Sequence, residues 1–187
     1  RGFDASRLLG VGGLVVEGHG FHRVVSLHQD GASVAGVGHD DVPAAAHAGC
    51  HPQRRRGAPG WRVIVLDAFE ESVVGRAQGD ERRTRAEQWL AKHNPNDLSD
   101  GGAWFRGLHG TDRRAVPYIG AFGQPQLRWL RRELRDAAVN GERVIILSHV
   151  VLSPEACDGT TVAWDYDEAL AAIRESRPVV AMVVCGH

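Results

Sequence analysis

The chain has 187 residues, 43% apolar and 24% charged, the balance of one ordinary globular domain able to bury a core. Lys plus Arg is 22 against 23 for Asp plus Glu, so the net charge of −1 offers no global attraction to nucleic acid or an anionic membrane, and neither is expected as a partner. The longest apolar run, Val179 to Cys185, is far shorter than the roughly 20 residues of a membrane helix.

The opening Arg1-Gly2-Phe3-Asp4 does not read as a signal peptide. The first 60 residues hold 12 of the 23 Gly and six of the ten His (His19, His22, His28, His39, His47, His51), with no Trp, Tyr or Ile. Any core there would be thin, so residues 1–57 are expected to be a Gly/His-rich, poorly ordered segment and residues 58–187 the folded domain. Leu9 to Glu17 is Gly-rich but lacks a full G-x-G-x-x-G phosphate-binding pattern. The six histidines are irregularly spaced, as in a solvated loop rather than a metal-binding tract. Ala44 to Gly60 reads as a linker, and its Arg54-Arg55-Arg56 run as a solvated charge cluster rather than a phosphate site.

Trp61 to Leu66 is a β-branched run ending at Asp67, the pattern of a buried strand with a polar tip. A surface helix is expected over Asp80 to His93, stopped by Asn94-Pro95-Asn96. Asp97 to Gly123 has six Gly and no sustained period, a long connection that points to a functional loop. Leu127, Leu130, Leu134 and Ala137 place a helix over Pro125 to Val139, with Gly141 as its stop. Arg143 to His149 is a second buried strand, ending in Ser148-His149. Asp165, with Glu168 three residues on, is expected to cap a helix whose apolar face is Tyr166, Ala169, Leu170 and Ile173, ended by Pro178. Val179 to Cys185 is a third strand, followed at once by Gly186-His187.

One strand ending in histidine is ordinary for a chain reaching solvent. Two in succession form a constellation, because neutral imidazoles at neighbouring strand tips can converge on one divalent cation. Asp67 fits two roles equally: supporting that site, or capping the turn that follows it. Cys50, Cys157 and Cys185 are odd in number and lack C-x-x-C spacing, which points to a reducing, intracellular and cytoplasmic setting, with Cys185 a packing group. The tryptophans read as packing groups, Trp104 being the exception to follow because it lies in the long loop.

Leu66 to Glu70, His93-Asn94-Pro95-Asn96, Gly123 to Leu130, Arg143 to His149, Trp164 to Leu170 and Cys185-Gly186-His187 together, in this order, resemble the calcineurin-like metallophosphoesterases. Within them the likeness is to the manganese-dependent ADP-ribose/CDP-alcohol diphosphatases, and it covers about residues 58–187. The resemblance implies an α/β fold, part of a four-layer α/β/β/α metallophosphoesterase sandwich, incomplete at both ends. It implies a dinuclear divalent metal centre, with Mn as the cofactor, that holds and polarises a phosphoryl group. By the same likeness His149 matches the histidine of the family's Ser-His motif and His187 the first of its Gly-His-x-His motif, both metal ligands. The implied substrates are small nucleotide-derived compounds such as ADP-ribose or CDP-alcohols.

The family's Asp-x-His, Gly-Asp-x-x-Asp and Gly-Asn-His-Asp/Glu motifs are not found here; the nearest fragment, Val37-Gly38-His39-Asp40, lacks the Asn. The sequence also stops before the second histidine of Gly-His-x-His. Two imidazoles without a bridging carboxylate are expected to hold Mn weakly. Two functions therefore stay open: a metal-dependent hydrolase of nucleoside diphosphate-linked substrates, or a noncatalytic remnant of the fold that binds only a ligand or partner. No residue is assigned as a catalytic acid or base.

Overall fold

A computed structural model of the chain describes residues 24–26, 52–56, 59–99, 101–176 and 178–186. Five strands are described: β1 (Val24–Ser26), β2 (Gln53–Arg56), β3 (Trp61–Leu66), β4 (Arg143–Ser148) and β5 (Val180–Cys185). They form one sheet in the order β1-β5-β4-β3-β2. All neighbours run parallel except β2, which pairs antiparallel with β3. Three helices, α1 (Glu81–His93), α2 (Gly123–Val139) and α3 (Tyr166–Glu175), fill the crossovers from β3 to β4 and from β4 to β5.

The three strands read from hydrophobic pattern are the central strands, and their alternation explains the core. Ile64, Leu66, Val144, Ile146 and Cys185 belong to one buried cluster with Leu127, Leu130 and Leu134 of α2, Ala169 and Ile173 of α3, and Leu90 of α1. The intervening residues face the other way, where buried Ile145 and Val184 meet Trp61, Leu147 and Met182. Apolar side chains on both faces mark a sheet built to be covered on both sides. The described residues make one sheet and one layer of helices, two of the four layers expected.

Two expectations are corrected. Part of the supposed linker is the edge strand β2, with Arg54 opposite Ile64 and Arg56 opposite Arg62. Its arginines do not prevent pairing, since a charged edge strand keeps one side in water and resists further strand addition, and Arg54 lies 3.7 Å from Glu133. Asp165 does not cap its own helix through its side chain. Its carboxylate accepts instead from the Phe122 and Gly123 amides, 3.0 and 2.8 Å away, at the start of α2. The N-cap residue of α2, Phe122, offers no side-chain acceptor, so a carboxylate from elsewhere in the chain takes that role.

The other helix ends follow local rules. Asp80 caps α1 by accepting from the Arg82 amide at 2.7 Å. Gly141, at φ +66°, ends α2 in the left-handed conformation that glycine adopts without a Cβ penalty. Asn94-Pro95-Asn96 stops α1 and also ties down the long loop. Asn94, 3% exposed, donates to the carbonyls of Trp104 (2.9 Å) and Ala115 (2.7 Å), and Asn96 donates to those of Trp104 and Arg106. Trp89 stacks between His93 (4.0 Å) and Trp164 (4.6 Å), joining α1 to the start of α3, with the Arg114 guanidinium 5.8 Å from its ring. Trp104, the aromatic to follow, donates its indole N–H to Ser99 and packs as part of the loop.

Candidate active site at the carboxyl edge of the sheet

In parallel α/β sheets ligands bind beyond the carboxyl ends of the strands. Here Leu66, Ser148 and Cys185 stand in register as the last residues of β3, β4 and β5. The next residues are Asp67, His149 and Gly186. The Gly186 amide donates to the His149 carbonyl at 3.2 Å, extending the β4–β5 pairing one step past the strands. Both strand–histidine endings therefore lie side by side at the same edge, as far as Gly186. His187 itself lies outside the described residues, as do the N-terminal histidines, the Gly-rich segment, Val37 to Asp40 and Cys50.

His149 is exposed at this edge. Its ring lies 5.9 Å from that of Phe69, tilted by 36°. Partial burial of the imidazole takes water from it and lowers its pKa, favouring the neutral ring. The donor chemistry fits a divalent cation such as Mn or Zn. Among the described residues no group of three or more His, Cys, Asp or Glu side chains is placed to hold a metal ion. The described residues therefore do not by themselves make a metal site around His149.

Asp67 takes the second of its two readings. It is 3% exposed, and its Oδ1 accepts from the Phe69 amide at 2.9 Å, closing the turn after β3. Gln126, equally buried, brackets the Asp67 backbone: its Oε1 accepts from the Asp67 amide and its Nε2 donates to the Asp67 carbonyl, both at 2.8 Å. Neither Gln126 nor Phe69 was assigned a role from the sequence. The signal for Gln126 was a lone amide inside the apolar stripe of α2, whereas nothing in the spacing of Phe69 announces a histidine 80 positions away. Cys185, 3% exposed, packs as expected, and burial pushes its thiol up to about 11.

A cavity of about 440 Å³ lies elsewhere, between α1 and the segment after it, lined by Arg83, Glu87, Leu90, Asn94 and Asn96 among others. Neither Phe69 nor His149 borders it, so it is separate from the histidine edge.

No family model matches the chain. It is 34% identical over 129 residues to a manganese-dependent ADP-ribose/CDP-alcohol diphosphatase of Oryza sativa subsp. japonica, covering 69% of this chain and 39% of that protein. The protein of the same description from Homo sapiens is 36% identical over 129 residues, covering 69% and 36% respectively. A crystal structure of a dimetal phosphatase from Danio rerio superposes with a TM-score of 0.66 at 32% identity, covering 73% of this chain and 42% of that one. The chain thus spans a little over a third of the length of the curated relatives it matches. Over that matched portion it is homologous to the manganese-dependent ADP-ribose/CDP-alcohol diphosphatases and has the fold of a dimetal phosphatase.

Proposed function

We propose that this chain carries part of a metal-dependent phosphohydrolase of nucleoside diphosphate-linked compounds such as ADP-ribose or CDP-alcohols, with residues 58–187 as its body. The reading is carried by one observation: the histidine that the family likeness selects, His149, stands exposed at the carboxyl edge of the parallel sheet with its ring biased toward the neutral form. In this reading His149 and His187 are imidazole donors to a divalent metal, Mn being the cofactor of the named relatives. Such a metal, when bound, would polarise phosphoryl oxygens and make water more nucleophilic. The residues of this chain contribute position: β4 delivers His149, the Gly186 amide fixes the backbone beside it, and the Asp67–Gln126 pair shapes the adjoining turn. The partner is a small nucleotide-derived molecule and the setting is the reducing cytoplasm, in keeping with free Cys157 and Cys185. Among the described residues no helix is long and apolar enough to cross a membrane.

A second reading, a noncatalytic body that only binds, is favoured by the missing cluster of three donors among the described residues. The two separate in one assay: AMP release from ADP-ribose by the metal-stripped chain, with and without added Mn, beside His149→Ala. The hydrolase reading predicts Mn-dependent release that falls more than about tenfold in the variant. Absence of release at every Mn concentration supports the binding-only reading.

A further inference from the structure

We propose that residues 152–161 form a lid at the carboxyl edge of the sheet, rooted beside His149 and latched at its tip to the segment 110–118; this rests on the reading of that edge as the ligand site. The root is paired and buried. The Val151 amide donates to the Thr161 carbonyl at 3.1 Å, and the Ala163 amide donates to that of Val151 at 3.0 Å. Val150, Leu152, Val162 and Ala163 are each at most 2% exposed. A short segment whose two ends meet in this way is an Ω-loop, a form of connection that frequently carries function.

Beyond the root the segment reaches solvent. Glu155, Ala156 and Asp158 are exposed, and the tip bonds to itself: the Ala156 amide donates to the Ser153 carbonyl, and the Thr160 amide and hydroxyl donate to Asp158 Oδ1. Polar contacts then tie it to the other loop. Arg113, held 5.1 Å from the centroid of the Phe105 ring, donates to Asp158 Oδ2 at 3.3 Å, and the Tyr118 hydroxyl hydrogen-bonds the Thr160 side chain. Gly159 packs so closely that a Cβ on it would lie 2.2 Å from the Gly110 carbonyl oxygen. The opposing side is fixed, since Ala115 and Val116 are buried, Arg114 donates to the Trp164 carbonyl and Asn94 to that of Ala115. The latch is weak where the root is strong: the Arg113 and Asp158 side chains are 33% and 63% exposed, and an exposed ion pair is marginal and screened by salt. Parting at the tip with the root intact is therefore the cheapest movement open to this segment, and a ligand at the edge would favour the closed form.

The test reads Cys157, a half-buried thiol at the tip, against the buried Cys185 at the end of β5. Iodoacetamide alkylation of each is followed by peptide mass in the full chain as wild type, Arg113→Gln, Arg113→Lys and Tyr118→Phe. The wild type is also measured with ADP-ribose, whose binding is read separately by equilibrium dialysis. Arg113→Gln and Tyr118→Phe are expected to speed alkylation of Cys157 by about twofold to fivefold with Cys185 unchanged, while Arg113→Lys stays near wild type. Raising the salt concentration should speed the wild type but not Arg113→Gln. Saturating ADP-ribose should slow Cys157 by about twofold or more. An unchanged Cys157 rate in Arg113→Gln overturns the latch, and so does an equal rise at Cys185, which would mark general loosening. ADP-ribose that binds yet leaves the Cys157 rate unchanged overturns the lid. ADP-ribose that does not bind overturns instead the reading of the edge as its site, and the proposal falls with it.

Discussion

Replacing Arg62 tests whether a buried charge cluster holds α2 to the sheet. Arg62 sits in β3 with its side chain 5% exposed, and its guanidinium donates to both Glu142 and Glu133. The Nε–H reaches Glu142 at 2.9 Å, and one terminal nitrogen reaches the Glu133 carboxylate at 2.9 Å and its backbone carbonyl at 2.8 Å. At 2.9 Å and an effective dielectric constant near 20, each charge pair attracts by about 6 kcal/mol before desolvation is subtracted. Breaking a buried pair by removing one member costs roughly 3–5 kcal/mol, because the other charge stays stranded. The Glu133 and Glu142 side chains are 13% and 26% exposed and recover some hydration. Arg62→Ala is therefore expected to lose about 3 kcal/mol, the lower end of that range.

Urea unfolding followed by tryptophan fluorescence reads this directly. With a slope near 2 kcal/mol per molar, the midpoint should fall by about 1.5 M. The combined variant Arg62→Met, Glu133→Gln, Glu142→Gln should recover most of the loss, because it strands no charge. A midpoint shift below about 0.3 M in Arg62→Ala refutes the argument. A combined variant no better than Arg62→Ala would show that the loss does not come from a stranded charge.

Asn94→Ala leaves the Ala115 carbonyl without its side-chain donor and the Trp104 carbonyl with Asn96 alone, and is expected to cost about 1–3 kcal/mol; faster tryptic cleavage after exposed Arg106 would report the loosened loop. Gly159 lies at φ +92° with any Cβ driven into the Gly110 carbonyl, so Gly159→Ala should destabilise by more than about 2 kcal/mol in the same urea assay. For Asp165, burial pushes the carboxyl up to about 6, against the lowering effect of the Phe122 and Gly123 amides and with a further upward push from Glu168. A raised folded-state pKa means the folded protein holds the proton more tightly, so this contribution is full below about pH 4 and is lost as pH rises through about 6. Stability of wild type relative to Asp165→Asn should therefore decline from pH 4 to 7 by at most roughly 3 kcal/mol, an upper figure because the N-terminus of α2 favours the carboxylate. A flat difference across that range would show that the amides outweigh the burial.

The long loop also has a physical account that its composition did not suggest. Its Gly-rich, aperiodic sequence reads as a functional loop with no regular structure to order it; the order comes from Asn94 and Asn96, which gather the carbonyls of Trp104, Arg106 and Ala115 around the end of α1. The Arg114 guanidinium and the Trp164 indole add reciprocal bonds to each other's backbone carbonyls at 3.1 and 2.9 Å. Polar side chains here substitute for the ladder hydrogen bonds that secondary structure would supply.

What the sequence by itself determined was whatever is written in local periodicity. The runs at 61–66, 143–148 and 180–185 are strands because two-sided burial demands continuous β-branched and aliphatic residues. α2 is a helix because its leucines recur on one face, and α1 begins just after Asp80 because the carboxylate there accepts from the Arg82 amide of its first turn. The position of His149 at a strand tip was legible for the same reason. Tertiary structure alone decided the rest, since these features depend on residues that meet only when the sheet assembles. Arg54 to Arg56 became a strand because β3 offered an open edge. Asp165 capped α2, 42 residues back in the chain, because α3 begins beside it. Phe69 met His149 because parallel pairing of β3 with β4 brings both strand ends to one edge. A local pattern fixes which way a side chain faces; only the register of the neighbouring strand fixes what it faces.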